Sequence, residues 1–202
     1  MIQQVLALGV TDLGENRVQE AKEKIHILAS RPLRWHLIGH LQRNKTKDAV
    51  VLFDVIHSVD SIALLDVLEQ QAVKQVRRID VFIQVNVSGE TTKFGCRPQD
   101  TTSLVTAALQ TSHLKFKGLM TIAPYTEDAE AARPHFRQLR RLRDEVVTAC
   151  RLQPGACSLS MGMSHDFEVA IEEGADIIRI GTAIFGARGK GRGEREGAGQ
   201  HG

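Results

Sequence analysis

The sequence predicts an α/β chain built as a (β/α)8 TIM-type barrel that lacks its first strand. Three observations carry that expectation. Strand-length apolar runs alternate with amphipathic helical stretches along the chain, the pattern of a parallel sheet with right-handed crossovers. Seven strand-like runs can be counted, and the chain opens on a helical stretch with no strand before it, whereas a closed barrel of this type takes eight. The last two runs, Leu159–Ile171 and Ile177–Gly186, carry Ser164 and Gly181-Thr182. Small and hydroxyl residues at strand ends turn backbone N–H groups and hydroxyls toward an anion. In barrels, the loops after the seventh and eighth strands are where phosphate commonly sits.

Taken in order, Ile2–Leu8 reads as a helix stopped by Gly9, and Val10–Leu13 as a short strand. In residues 16–30, Val18, Ala21, Ile25 and Leu28 share one helical face, and Asn16 with Gln19 suggests an N-cap and its reciprocal partner. Arg34–Gly39 is a strand, Asn44–Phe53 a helix, Val55–Val59 a strand. Ser61–Val73 is an amphipathic helix with Ile62, Leu65 and Leu68 inward. Val81–Val87 has the strongest strand composition and runs into the polar loop SGETTKFG; Gln99–Gln110 is helical. Phe116–Ala123 is a strand stopped by Pro124, and a helix runs from about Glu127 to Cys150 with Phe136, Leu139, Leu142 and Val146 as its apolar stripe. Strands at Ser158–Met163 and Ile177–Phe185 bracket a helix at Asp166–Glu173, whose Asp166 and Glu168 suit the positive end of its dipole. Residues 1–187 are expected to form the barrel. Residues 188–202, rich in glycine and arginine with no apolar face to bury, are expected to be a disordered tail.

Composition narrows the function classes. A length of 202 residues suits one α/β domain with one sizeable core. A net charge of +2 argues for neither nucleic acid nor an anionic membrane, and the RGKGRGER stretch of the tail lacks the interleaved aromatics of a strand-binding surface. No apolar stretch reaches membrane-spanning length, and the N-terminus has no signal-peptide pattern. Cys96, Cys150 and Cys157 are odd in number and irregularly spaced, which suits a reducing cytoplasm. His36, His40 and His57 near strand ends invite a metal reading, but the last strand offers no carboxylate ligand beside them. The arginines of the long helix are interspersed with acidic residues and read as a solvated outer face.

Seven stretches together carry a resemblance: GENRVQEAKEK, WHLIGHLQRNK, HSVDS, QVNVSGETTKFG, GLMTIAP, LSMGMSHDFEVAIEEG and RIGTAIFG. In that order they resemble the pyridoxal-phosphate (PLP) homeostasis proteins, whose barrel is of the alanine racemase N-terminal-domain kind. The resemblance covers about residues 1–187. It implies PLP as the cofactor, a carrier or buffer role without turnover, no metal, and PLP-dependent apo-enzymes as recipients. It also implies that Ser164, Gly181 and Thr182 hold the phosphate, that Arg179 faces the pyridine nitrogen, and that Asn16, His36 and Met161 complete the cofactor site. Arg179 and Gly181, two apart on one strand, point the same way. In the family the Schiff-base lysine ends the first strand, before the helix with which this sequence opens. Covalent attachment at the usual place is therefore expected to be lost, and the exposed sheet edges to favour self-association where the intact family is monomeric. A racemase-like enzyme and a non-functional truncated form are the alternatives. Racemases of this fold add a domain with a catalytic tyrosine, whereas Tyr125 is the single tyrosine here.

Overall fold

The computed structural model describes residues 1–29 and 31–186. The tail expected at 188–202 lies outside the described residues. Within them the elements run α1 (Ile2–Ala7), β1 (Asp12–Glu15), α2 (Val18–Ile27), β2 (Arg34–Leu37), α3 (Thr46–Leu52), β3 (Val55–Val59), α4 (Ile62–Lys74) and β4 (Ile79–Gln84). They continue through α5 (Thr101–Leu109), β5 (Leu114–Met120), α6 (Arg133–Ala149), β6 (Ser158–Met163), α7 (Phe167–Glu172), β7 (Ile177–Arg179) and α8 (Thr182–Phe185). Among the described residues seven strands pair in chain order, all parallel, with β1 and β7 at the two ends of the order. This is a nearly closed TIM-type barrel, and no helix in it is long and apolar enough to cross a membrane.

Two buried layers hold it together. The larger lies between sheet and helices and joins Trp35, Leu37, Ile56, Leu65, Leu68, Phe136, Leu139 and Met161, among others. Such burial on both faces of the sheet is what a parallel architecture requires, and all five residues of β3 are buried. The smaller layer, Val55, Phe82 and Met120 with Ile122 and Ile177 against it, fills the inside of the barrel. Strand parity assigns side chains to one layer or the other. On β2, Trp35 and Leu37 face the helices, so His36 faces the interior.

Several boundaries differ from those expected. The first strand is Asp12–Glu15 rather than 10–13, since buried Glu15 bonds Lys24 of α2 and ties strand to helix. Asn16 does not cap α2; Arg17, in extended conformation, is the cap residue, without a side-chain bond. On α4 the inward residues are Leu64, Leu65, Leu68 and Ala72, while Ile62 is exposed. The long helix starts at Arg133, with Pro134 in its first turn, after a 3-10 turn at Ala129–Ala132. The last strand ends at Arg179 instead of Phe185: the N–H groups of Ile184 and Phe185 turn back to the Gly181 carbonyl and begin α8.

Candidate functional site

Every loop that follows a strand opens on the same rim, the C-terminal mouth of the barrel, where sites of this architecture form. At its two ends β1 and β2 approach so closely that a Cβ added to Gly39 would stand 2.3 Å from the Asn16 carbonyl oxygen. The loop after β4 folds on itself around Asn86, whose amide donates to the Glu90 and Lys93 carbonyls and whose oxygen accepts from Ser88 and Gly89. That fold presents exposed Phe94, which stacks on His40 with ring centroids 3.8 Å apart. A cleft of about 270 Å³ beside His40 reaches Arg43, Asp60 and Ser61, but none of the expected phosphate residues lines it.

Ser164 and Gly181 meet on the opposite part of the rim. The Ser164 hydroxyl oxygen accepts the N–H of Gly181 at 3.0 Å and that of Ala183 at 3.3 Å. Two backbone donors thus converge on one oxygen at the start of α8, and Thr182, exposed, stands between them. The hydroxyl proton remains free to donate to an incoming anion. Asp166 steadies this turn by accepting the Met163 N–H at 2.6 Å. Gly162, in the left-handed region at φ 91°, lets α7 close in: a Cβ there would meet the Ala170 Cβ at 2.5 Å.

Arg179 lies below this cradle on the inner face of β7, two residues on from Ile177 of the inner apolar layer. Its guanidinium donates to the Ser160 hydroxyl at 2.7 Å and to the Thr121 carbonyl at 2.8 Å. Both acceptors are neutral, and among the described residues no carboxylate lies in ion-pair range of it. Burial lowers its pKa to about 10, so it is a cation at neutral pH.

Of the residues expected at the site, the structure groups Ser164, Gly181 and Thr182, with Arg179 on the adjoining strand face. Asn16 is exposed just past the end of β1. His36 is buried beneath the rim with both ring nitrogens engaged, to His57 and to Asp12, each at 2.9 Å. Met161 does not join the group: it is fully buried in the layer between sheet and helices, and Met163 is the methionine exposed at the end of β6. Ala183 and Ser160 were not expected. A backbone donor leaves no trace in side-chain identity, but Ser160, a lone hydroxyl in the apolar run LSMGM, was visible as an oddity.

A parallel barrel with the Ser164 hydroxyl at its mouth, above a cation that has no carboxylate partner among the described residues, has the chemistry to suit a small anionic ligand. The chain belongs to the alanine racemase N-terminal domain family, which it matches over residues 1–189. It is 47% identical over 188 residues to the pyridoxal phosphate homeostasis protein of Aquifex aeolicus, covering 93% of this chain and 82% of that protein. The structure of PipY from Synechococcus elongatus with PLP bound superposes with a TM-score of 0.83 at 37% identity, covering 92% of this chain and 86% of PipY. An alanine racemase from Clostridium difficile, at 12% identity and TM-score 0.71 over 87% of this chain and 47% of its own, shares the fold.

Proposed function

We propose that this chain binds pyridoxal 5′-phosphate and acts in intracellular PLP homeostasis as a carrier or buffer that turns over no substrate. The observation that carries the reading is Arg179, a largely enclosed cation that donates only to neutral oxygens. Such a charge is costly to enclose without an acceptor of matching strength, and an aromatic nitrogen or an anion would supply one. The Ser164 hydroxyl, held by the Gly181 and Ala183 N–H groups with its own proton free, suits the phosphate, with Thr182 adding a second hydroxyl. Supporting the same reading, the PipY structure is described with PLP bound and the Aquifex relative is named for PLP homeostasis.

Bound PLP would offer an aldehyde and an electron-accepting ring. An arginine at the ring nitrogen disfavours its protonation and leaves the ring a weaker electron sink than one paired with a carboxylate. That suits storage and delivery. The recipients we propose are PLP-dependent apo-enzymes, and the setting the cytoplasm. Held through phosphate and ring contacts, PLP would be released on dialysis.

The test is a PLP titration followed by absorbance, then dialysis, borohydride reduction and peptide mass mapping, with amino-acid racemisation assayed on the loaded chain. Saturable, dialysable binding with only scattered labelling of surface lysines is expected. A stoichiometric pyridoxyl adduct at one lysine, such as Lys93 in the β4 loop, overturns the non-covalent reading. Turnover of an amino acid overturns the carrier, and no binding overturns both.

A further inference from the structure

Arg179 is one end of a chain of side chains that crosses the inside of the barrel. Its Nη1 donates to the Ser160 Oγ at 2.7 Å, and the Ser160 hydroxyl lies 2.9 Å from His57 Nδ1. His57 Nε2 is 2.9 Å from His36 Nδ1, and His36 Nε2 is 2.9 Å from an Asp12 carboxylate oxygen. The two ends fix the direction of every bond between them. A guanidinium only donates, so the Ser160 oxygen accepts there and its proton is free to go to His57 Nδ1. With Nδ1 accepting, neutral His57 carries its proton on Nε2 and donates to His36 Nδ1. His36 in turn carries its proton on Nε2 and donates to Asp12, a carboxylate that only accepts. Reversed, the relay would leave the Ser160 proton without an acceptor and set a bare imidazole nitrogen against a carboxylate oxygen.

We propose that Ser160, His57 and His36 are positioning residues for Arg179, joined to it in a one-way hydrogen-bond relay that ends on Asp12 and holds the guanidinium turned toward the ligand ring. The proposal rests on the reading of Arg179 as the ring-facing cation of the PLP site. Ser160 and His57 are fully buried and His36 is 8% exposed, so water does not compete for the bonds that join these three; Asp12, at the outer end, is exposed. His57 also lies flat on Phe82, ring centroids 4.5 Å apart and planes 8° off parallel, which fixes the imidazole plane. Burial lowers the pKa of both imidazoles, that of His57 to about 2, which favours the neutral forms the relay uses. Burial opposes ionisation of Asp12, but hydrogen bonds from Thr11 and His36 outweigh it and hold its pKa below the ordinary value. With Ser160 and Thr121 each taking one Nη, the guanidinium plane is set by two bonds, and its remaining N–H groups are free for a ligand.

The experiment has two arms. In the ligand-free chain, long-range 1H–15N spectra at pH 7.5 should show His36 and His57 both as Nε2–H tautomers. The Arg179 guanidinium should give separate Nη signals, because its rotation is held, and Ser160→Ala should average them. In the second arm, PLP and pyridoxal are titrated into the wild-type chain and Ser160→Ala. Since Arg179 meets the ring, both ligands should weaken by the same factor, about tenfold, the size of one charge-assisted hydrogen bond. A proton on His57 Nδ1, or unchanged affinities in a folded Ser160→Ala chain, overturns the relay. If Ser160→Ala does not fold, the wild-type tautomers alone decide. A wild-type chain that binds neither ligand overturns the functional proposal, while the first arm still decides the relay.

Discussion

The phosphate cradle can be tested by removing one oxygen. Ser164→Ala deletes the atom on which the Gly181 and Ala183 N–H groups converge at 3.0 and 3.3 Å, and with it the free hydroxyl proton. Gly181 and Ala183 are exposed, so water can satisfy both donors in the variant. The cost to folding should therefore stay within about 0.5 kcal/mol, less than a melting-temperature shift of ~2 °C for a domain of this size. Binding should suffer more, because a hydroxyl donating to a phosphate forms a charge-assisted bond worth about 1.5–3 kcal/mol. That converts to a loss of roughly 10- to 150-fold in PLP affinity. Pyridoxal carries no phosphate, so its affinity should not move. Isothermal titration with both ligands, beside a thermal melt, reads all three quantities. Equal losses for PLP and pyridoxal would show that Ser164 touches the ring or only shapes the loop, and the cradle would be misassigned.

Three further outcomes are expected. Glu173 is buried and gathers Arg133, Arg137 and Arg140 of α6, so Glu173→Ala should lower stability by about 2–3 kcal/mol in denaturant melts. A change under 0.5 kcal/mol would mean the exposed arginine ends carry the charge alone. Burial holds the His57 pKa down to about 2, far below its unfolded value, so the unfolded chain binds the extra proton. Stability should then be full above about pH 6.5 and fall as pH drops from there toward 2; His57→Gln should flatten that slope, and a parallel slope would refute the assignment. Gly39→Ala places a Cβ against the Asn16 carbonyl, and should cost about 1–3 kcal/mol and weaken PLP binding by moving the rim; a wild-type melt would show the contact to be soft.

What was legible in the sequence followed periodicity. Phe136, Leu139 and Val146 recur at helical spacing and are fully buried on α6 as expected. The strand order could be read because parallel crossovers leave little choice of neighbour. Less legible were the places where one residue class serves two structures. Ile177–Phe185 is apolar enough for a continuous strand, yet Gly181 lets the backbone break and the same residues start α8. That Ser164, Gly181 and Thr182 come together was readable because hydroxyl and glycine residues at strand ends are themselves the signal. Met161, placed at the site by the resemblance, is turned by the pleat of β6 into the layer between sheet and helices. The family resemblance placed His36 at the cofactor ring. Its parity on β2 turned it inward to His57 and Asp12, contacts that span 21 and 24 residues and that no local pattern encodes.

The distribution of proton-handling groups bears on why a fold shared with racemases would carry PLP rather than use it. Catalysis at the carbon next to an amino group needs a base held within hydrogen-bond reach, with a pKa near the working pH. Two of this barrel's histidines fail on both counts: His36 and His57 are enclosed, their pKa values lowered by burial, and every ring nitrogen is already committed. His40, on the rim, is stacked on Phe94 and lies 3.7 Å from the Asp60 carboxylate. Tyr125, also on the rim, is 78% exposed, rests against His165, and has no hydrogen-bond partner among the described residues to fix its hydroxyl. The groups that are held firmly, Arg179 by two bonds and the Ser164 turn by two more, are a cation and a set of neutral donors. Groups of that kind suit the retention proposed for PLP, since neither a cation nor a neutral donor abstracts a proton. Rigid donors beside unanchored bases are the arrangement that the proposed carrier role calls for.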